Sequence, residues 1–110
     1  MGWELIVFAG VATAMCAGCL VPNRWLPSPL PNDKFMHFAG FALLTALALR
    51  LVPGRVEAAW ALAGLMLAGA LIECLQALVP GRNFCWRDMV ANGAGIAFVA
   101  LCAHLYTMLA

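Results

Sequence analysis

Residues 69–95 read GALIECLQALVPGRNFCWRDMVANGAG. Two long apolar runs meet there across Pro80 and Gly81, and around the meeting point stand Glu73, Gln76, Arg82, Arg87, Asp88 and Asn92. Proline and glycine together end helices and mark turns. The stretch therefore predicts one helix running into a turn and a second helix leaving it. Whether those helices pack in water or cross a bilayer decides the fold.

Composition points to the bilayer. Of the 110 residues, 65% are hydrophobic and 10% are charged, against about 25% charged in a soluble domain. The mean hydropathy is +0.95. A chain this short cannot hide so much apolar surface in a core of its own. None of the apolar runs carries the charged outer stripe of a soluble amphipathic helix. The net charge of +1 presents no basic face, so a nucleic-acid partner is not expected.

Working outward, four runs approach the roughly 17–25 apolar residues that a span requires. They cover about residues 5–21, 35–52, 58–79 and 89–109. Pro22, Pro27, Pro29 and Pro31 break the chain after the first, Pro53-Gly54-Arg55 after the second, and Pro80-Gly81-Arg82 after the third. Trp3, Trp25, Trp60 and Trp86 all fall near predicted ends, as does Tyr106, where their amphipathic rings favour the headgroup layer. The expected fold is all-α: a polytopic membrane protein with a four-transmembrane-helix bundle as one domain over residues 1–110. The leader MGWE has no Lys or Arg, unlike a secretory signal, so the first run is expected to be a retained helix.

Four spans place both termini and the 51–57 turn on one side, and the 81–87 loop with the long first loop on the other. Arg50 and Arg55 fall on the first side; Arg24, Lys34, Arg82 and Arg87 fall on the second. The positive-inside rule alone would put the second side in the cytoplasm. Charges kept for chemistry distort that count, so orientation stays open.

The polar residues gather on the second side whichever way the protein is inserted. Asp33, Lys34 and His37 open the second helix, Glu73 and Gln76 lie near the end of the third, and Asp88 and Asn92 open the fourth. Asp33 and His37, like Asp88 and Asn92, are four apart, and Glu73 and Gln76 are three apart, so each pair shares a helix face. Glu73 precedes Pro80 by seven residues, which sets it roughly 10 Å deeper along a helix. A carboxylate at that depth is costly and marks a functional site by default. Gly69, Gly93 and Gly95 supply room for close helix approach. Asp88 also stands where it would cap the fourth helix, with Arg82 or Arg87 as its cation.

Other features carry less. Cys16 and Cys19 lie within an apolar run, without the soluble βαβ setting that gives a two-cysteine redox motif its meaning. His104 sits toward the opposite face, and Arg50 is placed to reach headgroups. Asp33, His37, Glu73 and Asp88 are the groups that would hold a divalent ion, but their spacing fits no strong metal signature. Neither a metal nor any other cofactor is expected.

Two patterns on these residues carry a resemblance. Asp33, Lys34, His37 and Phe38 fit D-K-x-x-H-F. Glu73, Gln76, Pro80, Gly81, Arg82, Asn83, Asp88, Asn92 and Gly95 fit E-x-x-Q-x-x-x-P-G-R-N-x-x-x-x-D-x-x-x-N-x-x-G. Together they resemble the VanZ-like family of small bacterial membrane proteins. The chain has Phe41 where the family commonly has tyrosine, and Asn83 where it commonly has serine. The resemblance implies a several-helix protein of the cell envelope, in the inner (plasma) membrane, and implies no particular activity.

Several functions fit these residues. The leading reading binds an anionic envelope-lipid headgroup, with Arg82, Lys34, Asn92, Gln76 and Asp33 as the binding residues. A second is a membrane-embedded hydrolase or transferase acting on a lipid-linked phosphate or glycan. In it Glu73 or Asp88 is the general base and His37 the proton-shuttling partner, while Arg82 and Lys34 hold the anion. A third is purely structural or accessory, with the polar groups specifying helix packing. A proton-coupled carrier is a fourth, and four short helices would require a homo-oligomer for it. The expected partners are membrane lipids, with a homo-oligomer left open.

Overall fold

A computed structural model of the protein describes residues 2–20, 33–81 and 83–109. Arg24, Trp25, Arg82 and the prolines of the first loop lie outside the described residues, as does the side chain of Asp33. The described residues form four helices: α1 (Gly2–Leu20), α2 (Asp33–Leu51), α3 (Arg55–Gln76) and α4 (Trp86–Leu109). Each contains a window apolar and long enough to cross a membrane. At about 1.5 Å per residue, such helices match a hydrocarbon core about 30 Å thick. The protein is a four-transmembrane-helix bundle.

The helix ends differ from the apolar runs by a few residues. α3 begins at Arg55, earlier than its hydropathy suggests, because Gly54 is extended (φ −134°, ψ 174°) and its carbonyl accepts from Ala58 N–H at 2.9 Å. α3 stops at Gln76 rather than Val79. There the bonding tightens, with Leu78 N–H to Leu75 O and Val79 N–H to Gln76 O, both at 3.0 Å. Three-residue bonding of this kind closes helix ends. Gly81 then turns the chain at φ +79°, a left-handed conformation suited to glycine. α4 begins at Trp86, with Cys85 O accepting from Asp88 N–H at 3.1 Å and Met89 N–H at 3.3 Å. Backbone hydrogen bonding is indifferent to side-chain polarity, so helices run past the greasy residues by which a span is recognised.

The bundle is apolar outside and partly polar inside. Trp60, Leu67, Trp86, Val90 and Tyr106 are among the exposed large side chains, as a lipid solvent permits. Phe41, Leu44 and Ile96 form the buried apolar cluster, flanked by Phe8, Val11, Ala12 and Met15 of α1 and by Leu62, Leu65 and Ile72 of α3. Among the described residues, the buried polar ones are Glu4, His37, Thr45, Glu73, Gln76, Asp88 and Asn92. Thr45 satisfies its hydroxyl locally, donating to Phe41 O at 2.7 Å.

The most extensive packing joins α2 and α4, which run in the same direction. Gly95 makes this possible: a Cβ there would stand 2.4 Å from Phe38 O and 3.0 Å from Ala42 N. Phe38 and Phe98 stack beside the crossing, tilted by 46° with centroids 5.8 Å apart. Small residues permit this backbone approach in lipid. It also keeps the two helices in step, so the polar residues that open α2 face those that open α4.

At the opposite end, α1 is clasped to α2. Arg50 donates to Glu4 Oε2 from Nε at 3.2 Å and from Nη2 at 2.9 Å. Its guanidinium also lies 5.4 Å from the centre of the Trp3 ring. Arg50 therefore does more than reach for headgroups: it answers the buried carboxylate of Glu4.

Candidate functional site

His37 is the centre of the polar cluster. It lies one turn into α2 and is almost wholly buried, at 3% exposure. Its Nδ1 stands 2.8 Å from Asn92 Oδ1 of α4, a hydrogen bond in which the ring nitrogen donates and the amide oxygen accepts. Its Nε2 stands 3.6 Å from Asp88 Oδ2, also of α4. Glu73 Oε2 of α3 lies 4.0 Å from Nδ1. Two carboxylates from two helices thus flank one imidazole from a third, with Glu73 at 0% and Asp88 at 1% exposure.

Lys34 connects this interior to the membrane face. Its Nζ stands 3.0 Å from Asp88 Oδ1, and its side chain is 41% exposed. Lys34 precedes His37 by almost one turn, so the two side chains leave α2 on neighbouring lines and meet the same carboxylate on different oxygens. Asp88 is the third residue of α4, and its side chain turns inward to this pair. Among the described residues the cation that meets it is Lys34; Arg87, one of the two arginines expected there, is exposed, and the other, Arg82, lies outside the described residues.

Gln76 is buried on the same face of α3 as Glu73. Its Nε2 donates to Asn83 O at 3.2 Å, tying the end of α3 to the loop that leads into α4. Gly69 leaves space on the deeper side: a Cβ there would meet Asn92 Nδ2 at 3.1 Å and Phe41 Cζ at 3.2 Å. The cluster therefore joins His37, Glu73, Asp88, Asn92 and Lys34, with Gln76 beside it. Arg82 lies outside the described residues and Asp33 is described in its backbone alone. His104 is exposed on α4, far along the helix from Asp88.

Cys19 was not legible as a neighbour of this site. It is buried at the end of α1, with Sγ 4.0 Å from His37 Nε2. In the sequence it is one small residue in an apolar run, and only the return of α2 along α1 brings it to the imidazole.

Groups of these types can accept and donate protons, hold a cation, or receive an anion. Ionisable side chains buried within a membrane-spanning bundle are costly and mark a candidate functional site. By fold and site, the molecule is a multi-pass membrane protein with an intramembrane polar cluster. The VanZ/LLP1 family model matches residues 4–107, almost the whole chain. The protein belongs to that family. Neither the curated proteins nor the solved structures yield a match.

Proposed function

We propose that this protein sits in the inner (plasma) membrane of a bacterial envelope and binds an anionic lipid headgroup at the cluster around His37. The observation that carries this reading is the Lys34–Asp88 pair. The lysine is half-exposed at the membrane face and is held at 3.0 Å by a carboxylate that is itself buried. An ammonium carries three donors in a rotatable head, so a phosphate arriving from the headgroup layer can share Lys34 with Asp88. Asp88 fixes the position of Lys34, while Asn92 and Gln76 line the interior with neutral polarity.

Binding of a phosphate-bearing lipid to purified protein in nanodiscs, compared with the Lys34→Ala variant, tests this. The variant should lose roughly 10–100-fold in affinity, in line with loss of one charge-assisted hydrogen bond worth roughly 1.5–3 kcal/mol. A neutral lipid should bind both proteins alike. Equal binding of the anionic lipid by both would overturn the reading.

One observation favours a second reading, chemistry on the headgroup. His37 lies between two carboxylates, a setting suited to proton transfer. Glu73 or Asp88 would take a proton from a hydroxyl or water as its oxygen bonds to the phosphorus or sugar carbon; the bond from that atom to the lipid oxygen breaks, and His37 passes the proton to the departing lipid oxygen. Untargeted lipid analysis of membranes containing native protein or Glu73→Ala distinguishes the readings. A species that accumulates only with the variant supports turnover; identical lipid profiles with intact lipid binding leave binding alone.

A further inference from the structure

We infer that His37, Glu73 and Asp88 form a binding site for one divalent transition-metal ion, with Mn²⁺ or Zn²⁺ as the fitting chemistry. The inference rests on the headgroup site just proposed and supplies it with a second cation. One nitrogen of His37 and one oxygen from each carboxylate lie within 4.8 Å of one another, and all three residues are buried. Donors on adjacent positions around such an ion stand roughly 3.0–3.4 Å apart, given bonds of about 2.1 Å. The observed separation of 3.6 Å between His37 Nε2 and Asp88 Oδ2 approaches that value; Glu73 Oε2 stands 4.0 Å from the other ring nitrogen and would turn toward Nε2 to share the ion.

The hydrogen bond to Asn92 is an independent pointer. With Nδ1 donating to Asn92 Oδ1 at 2.8 Å, a neutral imidazole carries its lone pair on Nε2. That lone pair faces Asp88 Oδ2, a carboxylate oxygen with lone pairs of its own. Cys19 Sγ stands 4.0 Å from the same nitrogen, so Nε2 looks onto a carboxylate oxygen and a thiol, both ligand types for a divalent ion. A metal-binding histidine commonly donates its other N–H to an oxygen that fixes tautomer and ring angle, the place Asn92 holds here. Gln76 adds to this: it is 3% exposed, one turn from Glu73 on α3, and its Oε1 has no hydrogen-bond partner among the described residues. An imidazole with two carboxylates suits borderline divalent ions better than Ca²⁺ or Cu⁺. A dication offsets both carboxylates and, with Lys34, gives the site a net positive charge that favours a phosphate.

The test uses full-length protein in nanodiscs, stripped of metal with a chelator and titrated with Mn²⁺. One saturable site per chain is expected by electron paramagnetic resonance. Glu73→Gln should abolish it, and Asn92→Ala should weaken it by about 10–100-fold through loss of the positioning hydrogen bond. Arg50→Ala, at the other end of the bundle, should bind as the native protein does. A readout free of substitution uses the two histidines of the chain. Mn²⁺ should broaden the imidazole signals of His37 and leave those of His104 sharp. No saturable binding, full binding by Glu73→Gln, or broadening at His104 alone would overturn the metal site. The two proposals fail separately. Loss of lipid affinity in Lys34→Ala without Mn²⁺ binding removes only the metal. Mn²⁺ binding with lipid affinity unaltered in Lys34→Ala removes only the headgroup reading.

Discussion

His37 and Asn92 meet through a 2.8 Å hydrogen bond although fifty-five positions separate them in sequence. The bond joins α2 to α4 in the most closely packed part of the bundle and orients the one imidazole that faces both carboxylates. It serves packing and site geometry together, so the two roles are separable by experiment.

Asn92→Ala removes the acceptor and leaves the buried Nδ1–H of His37 without it. In water such a loss costs about 1–3 kcal/mol. Interhelical bonds in bilayers average about 0.6 kcal/mol, with a maximum near 1.7, because the membrane-inserted unfolded chain also finds partners. The lower range applies here. Unfolding in detergent followed by tryptophan fluorescence should show a loss of about 1 kcal/mol. A loss well above 2 kcal/mol would mean that Asn92 holds more than His37.

Gly95→Ala should be the more damaging change. The added methyl would stand 2.4 Å from the backbone oxygen of Phe38, and backbone cannot turn aside as a side chain does. Overpacking of this kind costs typically about 1–3 kcal/mol. Gly64→Ala is the control, since a Cβ there meets nothing within 4 Å. It should leave stability unchanged or raise it slightly through helix propensity. Equal thermal stability in the two variants would refute the close approach of α2 and α4.

Gly69→Ala separates site from scaffold. Its methyl would press on the Asn92 amide at 3.1 Å and the Phe41 ring at 3.2 Å, both side chains able to give by a few tenths of an ångström. Folding should therefore survive better than in Gly95→Ala, while lipid or Mn²⁺ binding falls. If binding is untouched and stability collapses, Gly69 serves packing alone.

The Glu4–Arg50 pair predicts a sign pattern rather than a size. Arg50→Ala leaves the carboxylate of Glu4 without its guanidinium, so it should destabilise the protein. Adding Glu4→Gln removes the charge that the guanidinium balanced, and the double variant should unfold later than Arg50→Ala alone. Strict additivity in the double-mutant cycle would show that the two do not interact energetically.

Much of the architecture is a local property and is legible in the sequence. Hydropathy over each run and the prolines and glycines between them give four spans, because crossing lipid depends on the chain segment itself. Four-residue and three-residue spacings put Asp88 with Asn92 and Glu73 with Gln76, because helical periodicity is also local. Alternating direction then brought the polar ends of α2, α3 and α4 to one face. Helix ends were off by about one turn at α3 and α4, since hydropathy senses the hydrocarbon boundary and not the last hydrogen bond.

What tertiary structure alone decided is which residue meets which. Lys34 pairs with Asp88; Cys19 lies against the imidazole; and Arg50 clasps Glu4 of the neighbouring helix. Each of these pairs joins different helices, and their meeting depends on helix rotation and on the depth to which Gly95 lets two backbones sink together. Periodicity states which residues share a face of one helix. It carries no information about which face of a neighbour will be there to receive them.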